Sequence, residues 1–242
     1  MNSADDPISA AEAAGQTTLT EAASKRLLRD AGIQTTAFAV AVDAEEAVAA
    51  AEDIGFPVVL KTASPAVTHK SEWADGAGVA VGLESPAAVV QAATDIEAAA
   101  RAQQIESQLL VEEMRDTSAG TEVIVGGLRD ASFGPVVLVG LGGVFTELFD
   151  DTSHRLAPLS HTEARSAIES LRAETLLTGY RGTPPADIDA LAEVVTATGD
   201  LLVEREAITE IDLNPVLVTA EGGVALDALV VLEPESGEKA HD

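Results

Sequence analysis

The chain contains no cysteine, so its 242 residues form neither disulfides nor thiolate metal sites. Cations are scarce too: 14 Lys and Arg stand against 41 Asp and Glu, a formal net charge of −27, and only four of the cations are lysines. Sequence-independent binding to nucleic acid is thereby disfavoured, because neutralising phosphates needs cationic patches. No apolar run approaches the length needed to cross a bilayer, and the opening MNSADDPISAAEAA lacks a basic segment followed by an apolar one. These absences lead to the expectation of a soluble cytoplasmic protein with no membrane or nucleic-acid partner.

What is present is a foldable chain. Hydrophobic residues make up 46% and the acids are spread over the whole length, which excludes general disorder. The length suits one large domain or two small ones sharing a cleft, each with its own core. An acidic, Ala- and Val-rich, lysine-poor surface fits a high-salt cytoplasm of the haloarchaeal type, where screening relieves self-repulsion; a basic partner would serve the same end. Where cations are this rare, Lys61, Lys70, Arg129, Arg155 and Arg181 ask for a reason.

The first 18 residues lack a clear apolar face and are expected to be a mobile extension. LTEAASKRLLRDAGI then reads as a helix, with Leu27, Leu28 and Ala31 on one stripe and Gly32 as the stop. The strand TAFAVAV, a helix capped by Asp43 and closed by Gly55, and the buried strand FPVVLKT follow. After a polar loop come GVAVGL, a helix from about Ser85 to Gln104, and a strand SQLLVEE. Between Gly120 and Leu148 the glycine spacing favours strands joined by tight turns. Helices are expected near 161–172 and 186–204, then two final strands, AITEIDLNPVLVT and GGVALDALVVL. The class is α+β, with a mixed first half and an antiparallel second half.

Four constellations could carry chemistry. The polar loop KTASPAVTHKSEWADGAGV holds His69 between Lys61 and Lys70. With no second His or Cys nearby it is a poor metal site, but the imidazole suits a nucleophile that accepts a phosphoryl group, with Lys70 offsetting the added charge. The run GPVVLVGLGG could bring backbone N–H groups to a phosphate or could simply make tight turns in a sheet. Glu112 and Glu122 stand at strand ends, where a carboxylate can hold ribose hydroxyls or lie in solvent. In EIDLNPV, alternation puts Glu210, Asp212 and Asn214 on one strand face, with Asp227 expected on the paired strand opposite. Such an oxygen donor set is what Mg2+ prefers.

These segments, in the order VVLK, SPAVTHKSE, GAGV, LLVEEM, GTEVIVGGLRDASFGPVVLVGLGG, R-LAPL, GYRG and EIDLNPVLV, resemble the β subunits of ADP-forming acetyl-CoA synthetases over residues 18–232. That family is the ATP-grasp branch of the NDP-forming acyl-CoA synthetase superfamily, which also contains succinyl-CoA synthetase. The resemblance implies an ATP-grasp fold: two subdomains with mixed or antiparallel sheets flanked by helices, and a nucleotide cleft between them. The expected boundaries are 1–18 for the extension, 19–111 and 112–232 for the subdomains, and 233–242 for a polar tail.

The resemblance also implies the reversible reaction acetyl-CoA + ADP + phosphate ⇌ acetate + ATP + CoA. His69 matches the loop histidine that carries the phosphoryl group. Lys61 matches the nucleotide-binding lysine, Glu112, Glu113 and Met114 the hinge at adenine and ribose, and Glu122 an acid contacting the nucleotide. Gly140, Gly142, Gly143 and Arg155 would face the phosphates. Asn214 and Asp227, with Asp212 added, would hold Mg2+, and ATP or ADP is the substrate. A CoA-binding α subunit, in an α2β2 assembly, would supply the first phosphohistidine. WADGAGV departs from the family's D-x-G-G-V run by placing Ala77 between Gly76 and Gly78. Other readings are a succinate or other acyl-CoA synthetase, a ligase using acyl phosphate directly, and a non-catalytic nucleotide sensor.

Overall fold

The computed structural model describes residues 6–67, 73–142, 151–180 and 184–234, without the side chains of residues 74 and 75. The chain begins with helix α1 (Pro7–Ala13), in which Asp6 accepts the Ser9 N–H at the N-cap and Pro7 stands in the first turn. Ile8 and Ala11 of α1 are buried in the core, so residues 7–13 form a docked helix and not the extension expected for them. Helix α2 (Glu21–Asp30) follows, and Gly32, at φ +85°, ends it by turning the chain into Ile33.

Two units result. The smaller comprises Thr20–Ala22 and Thr36–Asp116; the larger comprises Met1–Leu19, Ala23–Thr35 and Thr117–Asp242. Residues 23–35 therefore go with the larger unit, unlike the expected boundary at residue 19.

In the smaller unit the order is β1 (Phe38–Ala41), α3 (Ala44–Ile54), β2 (Val58–Ala63), β3 (Val79–Leu83), α4 (Pro86–Ala102) and β4 (Gln108–Glu113). Asp43 caps α3 by accepting from Glu45 and Glu46, and Ser85 caps α4. The sheet order is β1-β4-β2-β3, and every pairing is antiparallel. β4 inserts between β1 and β2 and runs against both, so the sheet is antiparallel throughout. One sheet face, with Ala41, Val58, Leu60, Leu109 and Val111, packs on α3 and α4.

In the larger unit β5 (Thr121–Asp130), β6 (Gly134–Leu141), β7 (Thr152–Leu156), β8 (Ile208–Thr219), β9 (Gly222–Ala225) and β10 (Leu229–Leu232) form an antiparallel sheet ordered β10-β8-β5-β6-β7, with β9 also on β8. Helices α5 (His161–Glu169) and α6 (Ile188–Glu204) cover one face, where Val123, Val125, Val137, Val139, Ile211 and Leu213 are buried. Each such side chain contributes about 1.5–3 kcal/mol when fully buried. Ser160 and Glu163 form a reciprocal cap at the start of α5; bonds from the Ser160 N–H and hydroxyl hold the Glu163 carboxyl below its ordinary value. In the β5–β6 turn the Phe133 and Ser132 N–H groups do the same to Asp130.

Arg129, one of the scarce cations, donates to the carbonyls of Leu202, Arg205 and Ile208. It closes the C-terminal end of α6, where carbonyls lack helical partners. Among the described residues no helix is long and apolar enough to cross a membrane.

Candidate functional site

In the smaller unit, alternation along β2 sends Lys61 to the sheet face opposite α3 and α4. Lys61 stands opposite Leu110 in the register and Val59 opposite Glu112, so Lys61 and Glu112 are diagonal neighbours on that face. The Lys61 Nζ lies 2.6 Å from Glu112 Oε2 and 2.6 Å from Glu21 Oε1, which arrives from the first turn of α2. Both carboxylates are almost wholly buried, and Lys61 is 9% exposed. Thr36 adds a hydroxyl donor to Glu112 Oε1 at 3.4 Å. An ammonium held this way is fixed in position between two carboxylates.

Glu112 thus pairs with Lys61 on this face. Its neighbours are also engaged: Glu113 accepts from the Ala37 N–H and pairs with Arg115, and the Met114 N–H donates to Pro57 O at 3.3 Å. The Met114 side chain is exposed at the end of β4.

His69 and Lys70 lie outside the described residues, in the connection from β2 to β3. The return of that connection is described. Trp73–Gly76 make a single 3-10 turn, Gly76 takes φ +90°, and Gly78 O already accepts the Thr62 N–H at 2.9 Å. Gly76 therefore supplies the turn, while Gly78 is tied to the sheet through its carbonyl.

In the larger unit one row of the sheet runs His154, Leu138, Gly126, Asp212, Leu229 across β7, β6, β5, β8 and β10. It lies on the face away from α5 and α6, since the alternating neighbours Val137, Val125, Ile211 and Leu213 are buried in the core. Asp212 and Asn214 both emerge on this face, Asn214 exposed and Asp212 half-buried. Glu122 shares it, because β5 alternates without interruption against β6. Asp227 is not on a strand: it lies in the link between β9 and β10, two residues before Leu229, the register partner of Asp212. Two carboxylates and an amide give an all-oxygen donor set that fits Mg2+ with phosphate and water completing it. Among the described residues no group of three His, Cys, Asp or Glu could hold a metal alone.

The phosphate contacts expected of Gly140, Gly142 and Arg155 find a different arrangement. Gly140 sits inside the sheet, paired with Ile124 and Thr152. The Gly142 N–H donates to Glu122 O at 2.8 Å, and a Cβ on Gly142 would stand 3.0 Å from that oxygen; this glycine allows β6 to close on β5. Arg155 pairs with the buried Val137 and donates to Ser153 Oγ and His154 O, so it faces the helices and not the Asp212 row. His154 occupies that row instead. Gly143 lies outside the described residues.

Two buried charged residues have no counterpart in the sequence reading: Glu21 in the smaller unit, and Lys25, fully buried, in the larger. Lysine scarcity marks Lys25 as clearly as Lys61, and Glu21 stands one helical turn before it.

An ATP-grasp domain model matches residues 10–232. The β subunit of ADP-forming acetate–CoA ligase I from Pyrococcus furiosus is 38% identical over 215 residues, which cover 88% of this chain and 91% of that subunit. ADP-forming acetate–CoA ligase I from Archaeoglobus fulgidus is 38% identical over 207 residues, 84% of this chain but 29% of that protein. A chain of the dinucleotide-forming acetyl-coenzyme A synthetase 1 of Ca. Korarchaeum cryptofilum, solved with coenzyme A and Ca-AMPCP, superposes with a TM-score of 0.87 at 41% identity, covering 93% of this chain and 98% of that one. The same synthetase has been solved with a phosphorylated phosphohistidine segment. On the family match over most of its length and on relatives of this identity and coverage, the chain belongs to the ATP-grasp family, within the branch of ADP-forming acetate–CoA ligase β subunits.

Proposed function

We propose that the chain is the nucleotide-handling subunit of an ADP-forming acetate–CoA ligase, acting with a CoA-binding α subunit in the cytoplasm on acetyl-CoA + ADP + phosphate ⇌ acetate + ATP + CoA. The observation that carries this reading is the buried Lys61, held by Glu21 and Glu112 on the strand that leads directly into the His69 segment. The Korarchaeum relative, with its phosphorylated phosphohistidine segment, supports His69 as the carrier here.

In the proposed step a terminal phosphate oxygen of ADP attacks phosphorus on phosphohistidine 69. A P–O bond forms, the N–P bond breaks, and the electron pair returns to the imidazole nitrogen. Such a transfer needs in-line positioning and charge neutralisation more than covalent help. Lys61 would bind phosphate oxygens, and its fixed charge favours the developing negative charge. Asp212, Asn214 and Asp227 would hold Mg2+, which supplies further neutralisation of the phosphates when bound. Glu112, Glu113, Met114 and Glu122 would face the nucleoside, and Gly143 the phosphate. Arg155, Gly140 and Gly142 take no part in this reading. Assembly as α2β2 extends the same proposal.

The test is reconstitution. The chain co-purified with a CoA-binding subunit forms ATP from acetyl-CoA, ADP and phosphate, while either chain alone does not. A complex that binds ADP but forms no ATP from acetyl-CoA would overturn the assignment.

A further inference from the structure

We propose that Lys25 is a positioning residue for the divalent-cation site of the larger unit, anchoring the segment that presents Asp227. The inference rests on the reading of Asp212, Asn214 and Asp227 as cation ligands.

The starting point is a cost. Lys25 is 0% exposed, whereas Arg26, Arg29 and Asp30 of the same helix face solvent. Burying a lysine freezes about 1.5–2 kcal/mol of rotamer freedom. Stripping water from its ammonium costs several kcal/mol more. A specific interaction must offset this. Lys25 Nζ donates to the carbonyl of Leu226 at 2.7 Å, the residue immediately before Asp227.

The same short segment is held at two further points. The Leu226 N–H donates to Pro215 O at 2.9 Å, and the Ala225 N–H donates to Gln34 O at 2.9 Å, beside a parallel bridge from Thr35 to Ala225. Pro215 directly follows Asn214, and Leu229 pairs with Asp212. Asp227 and Asn214 are thus each one residue from the anchored segment or its partner, and Asp212 is the register partner of Leu229, two residues beyond Asp227. Asp227 Oδ1 also accepts the Ala228 N–H at 2.8 Å, which orients the carboxylate on its own backbone. Of the three ties, the two from backbone N–H groups would survive any side-chain change. The Lys25 tie alone depends on a side chain, and it acts on the peptide group joined to Asp227.

Charge and position make opposite predictions here. If Lys25 acted mainly as a nearby positive charge, its removal would tighten cation binding. If it acts by position, removal weakens it, as for other groups that orient a ligand, by about 10–100-fold.

The experiment measures Mn2+ affinity of the full chain with saturating ADP in concentrated potassium chloride, by water-proton relaxation enhancement. Wild type, Lys25→Met, Lys25→Arg and Asp227→Asn are compared, with ADP affinity in metal chelator as a control for folding. Lys25→Met and Asp227→Asn are both expected to weaken Mn2+ by about tenfold or more while metal-free ADP affinity stays within about twofold. Lys25→Arg keeps the charge but not the short bond to Leu226, and is expected to fall between wild type and Lys25→Met. Should Lys25→Met fail to fold, a weakened Mn2+ affinity in Lys25→Arg carries the proposal, and an unchanged one overturns it. Weak binding in Asp227→Asn with unchanged or tighter binding in both Lys25 variants overturns the role of Lys25 and leaves the ligand reading standing. Unchanged binding in Asp227→Asn overturns the ligand reading and the inference together.

Discussion

Lys61 on β2 and Glu112 on β4 are locked as a diagonal cross-strand pair, Nζ to Oε2 at 2.6 Å, on the sheet face opposite α3 and α4. Glu21 closes the other side of the same ammonium at 2.6 Å. The Lys61 ammonium is therefore held within the smaller unit by that unit's own carboxylates. Removing one partner of a buried ion pair costs about 3–5 kcal/mol, because the other is left uncompensated. Lys61→Met strands two carboxylates and is expected to lower stability more than Glu21→Gln or Glu112→Gln. Urea unfolding followed by circular dichroism checks the order, and ADP titration of the folded variants checks that Lys61→Met also loses nucleotide.

Gly142 is expected to be a packing residue. Its N–H is spent on Glu122 O, and a methyl group would meet that oxygen at 3.0 Å. Gly142→Ala should destabilise by about 1–3 kcal/mol through overpacking. Folded Gly142→Ala should bind ADP as the wild type does; a large loss of ADP affinity without loss of stability would restore a phosphate role.

Arg155 faces α5, not the Asp212 row. Arg155→Ala is expected to leave ADP affinity within about twofold, since removing a group remote from a ligand has only small effects on its binding. His154→Ala, on the row itself, is the informative comparison in the same calorimetric titration.

The Ser160–Glu163 cap predicts a pH dependence. Bonds from Ser160 hold the Glu163 carboxyl below its ordinary value of 4.5, so the folded state favours the charged form. The contribution is complete above that value and is lost as pH falls through the lowered folded-state value. Ser160→Ala should be less stable than wild type at neutral pH, and the gap should narrow on acidification. Urea midpoints measured across the acid range test this; a gap that is constant with pH would mean the carboxyl contributes nothing.

Salt should matter strongly. A net charge of −27 repels itself, and screening shortens the range of that repulsion to about 3 Å in molar salt. The melting temperature is expected to rise with potassium chloride well beyond physiological concentration, and a flat response would remove the high-salt reading of the composition.

Much of this organisation is legible in the sequence because it rests on local rules. Asp43, Ser85 and Asp187 sit where caps belong, and each accepts from the following turn. Alternation in EIDLNPV correctly separates Asp212 and Asn214 from the buried Ile211 and Leu213. What is not legible depends on long-range pairing. The parity of Arg155 follows only once β7 is paired with β6, and DDTSHRLAPL does not read as a strand. The fate of the Gly142 N–H is set by Glu122, a strand away. Glu21 and Lys25 look like an ordinary solvated helical pair one turn apart. Their burial is decided by what packs on α2, and the lysine's scarcity is the sole sequence signal.

The central claim is that His69 carries a phosphoryl group between nucleotide and partner. Its most direct measurement is transfer of label from γ-labelled ATP to the chain with Mg2+, in concentrated salt, with and without the α subunit. The account predicts acid-labile, base-stable label that disappears in His69→Ala. No label on the wild type, or label that persists in His69→Ala, would contradict it.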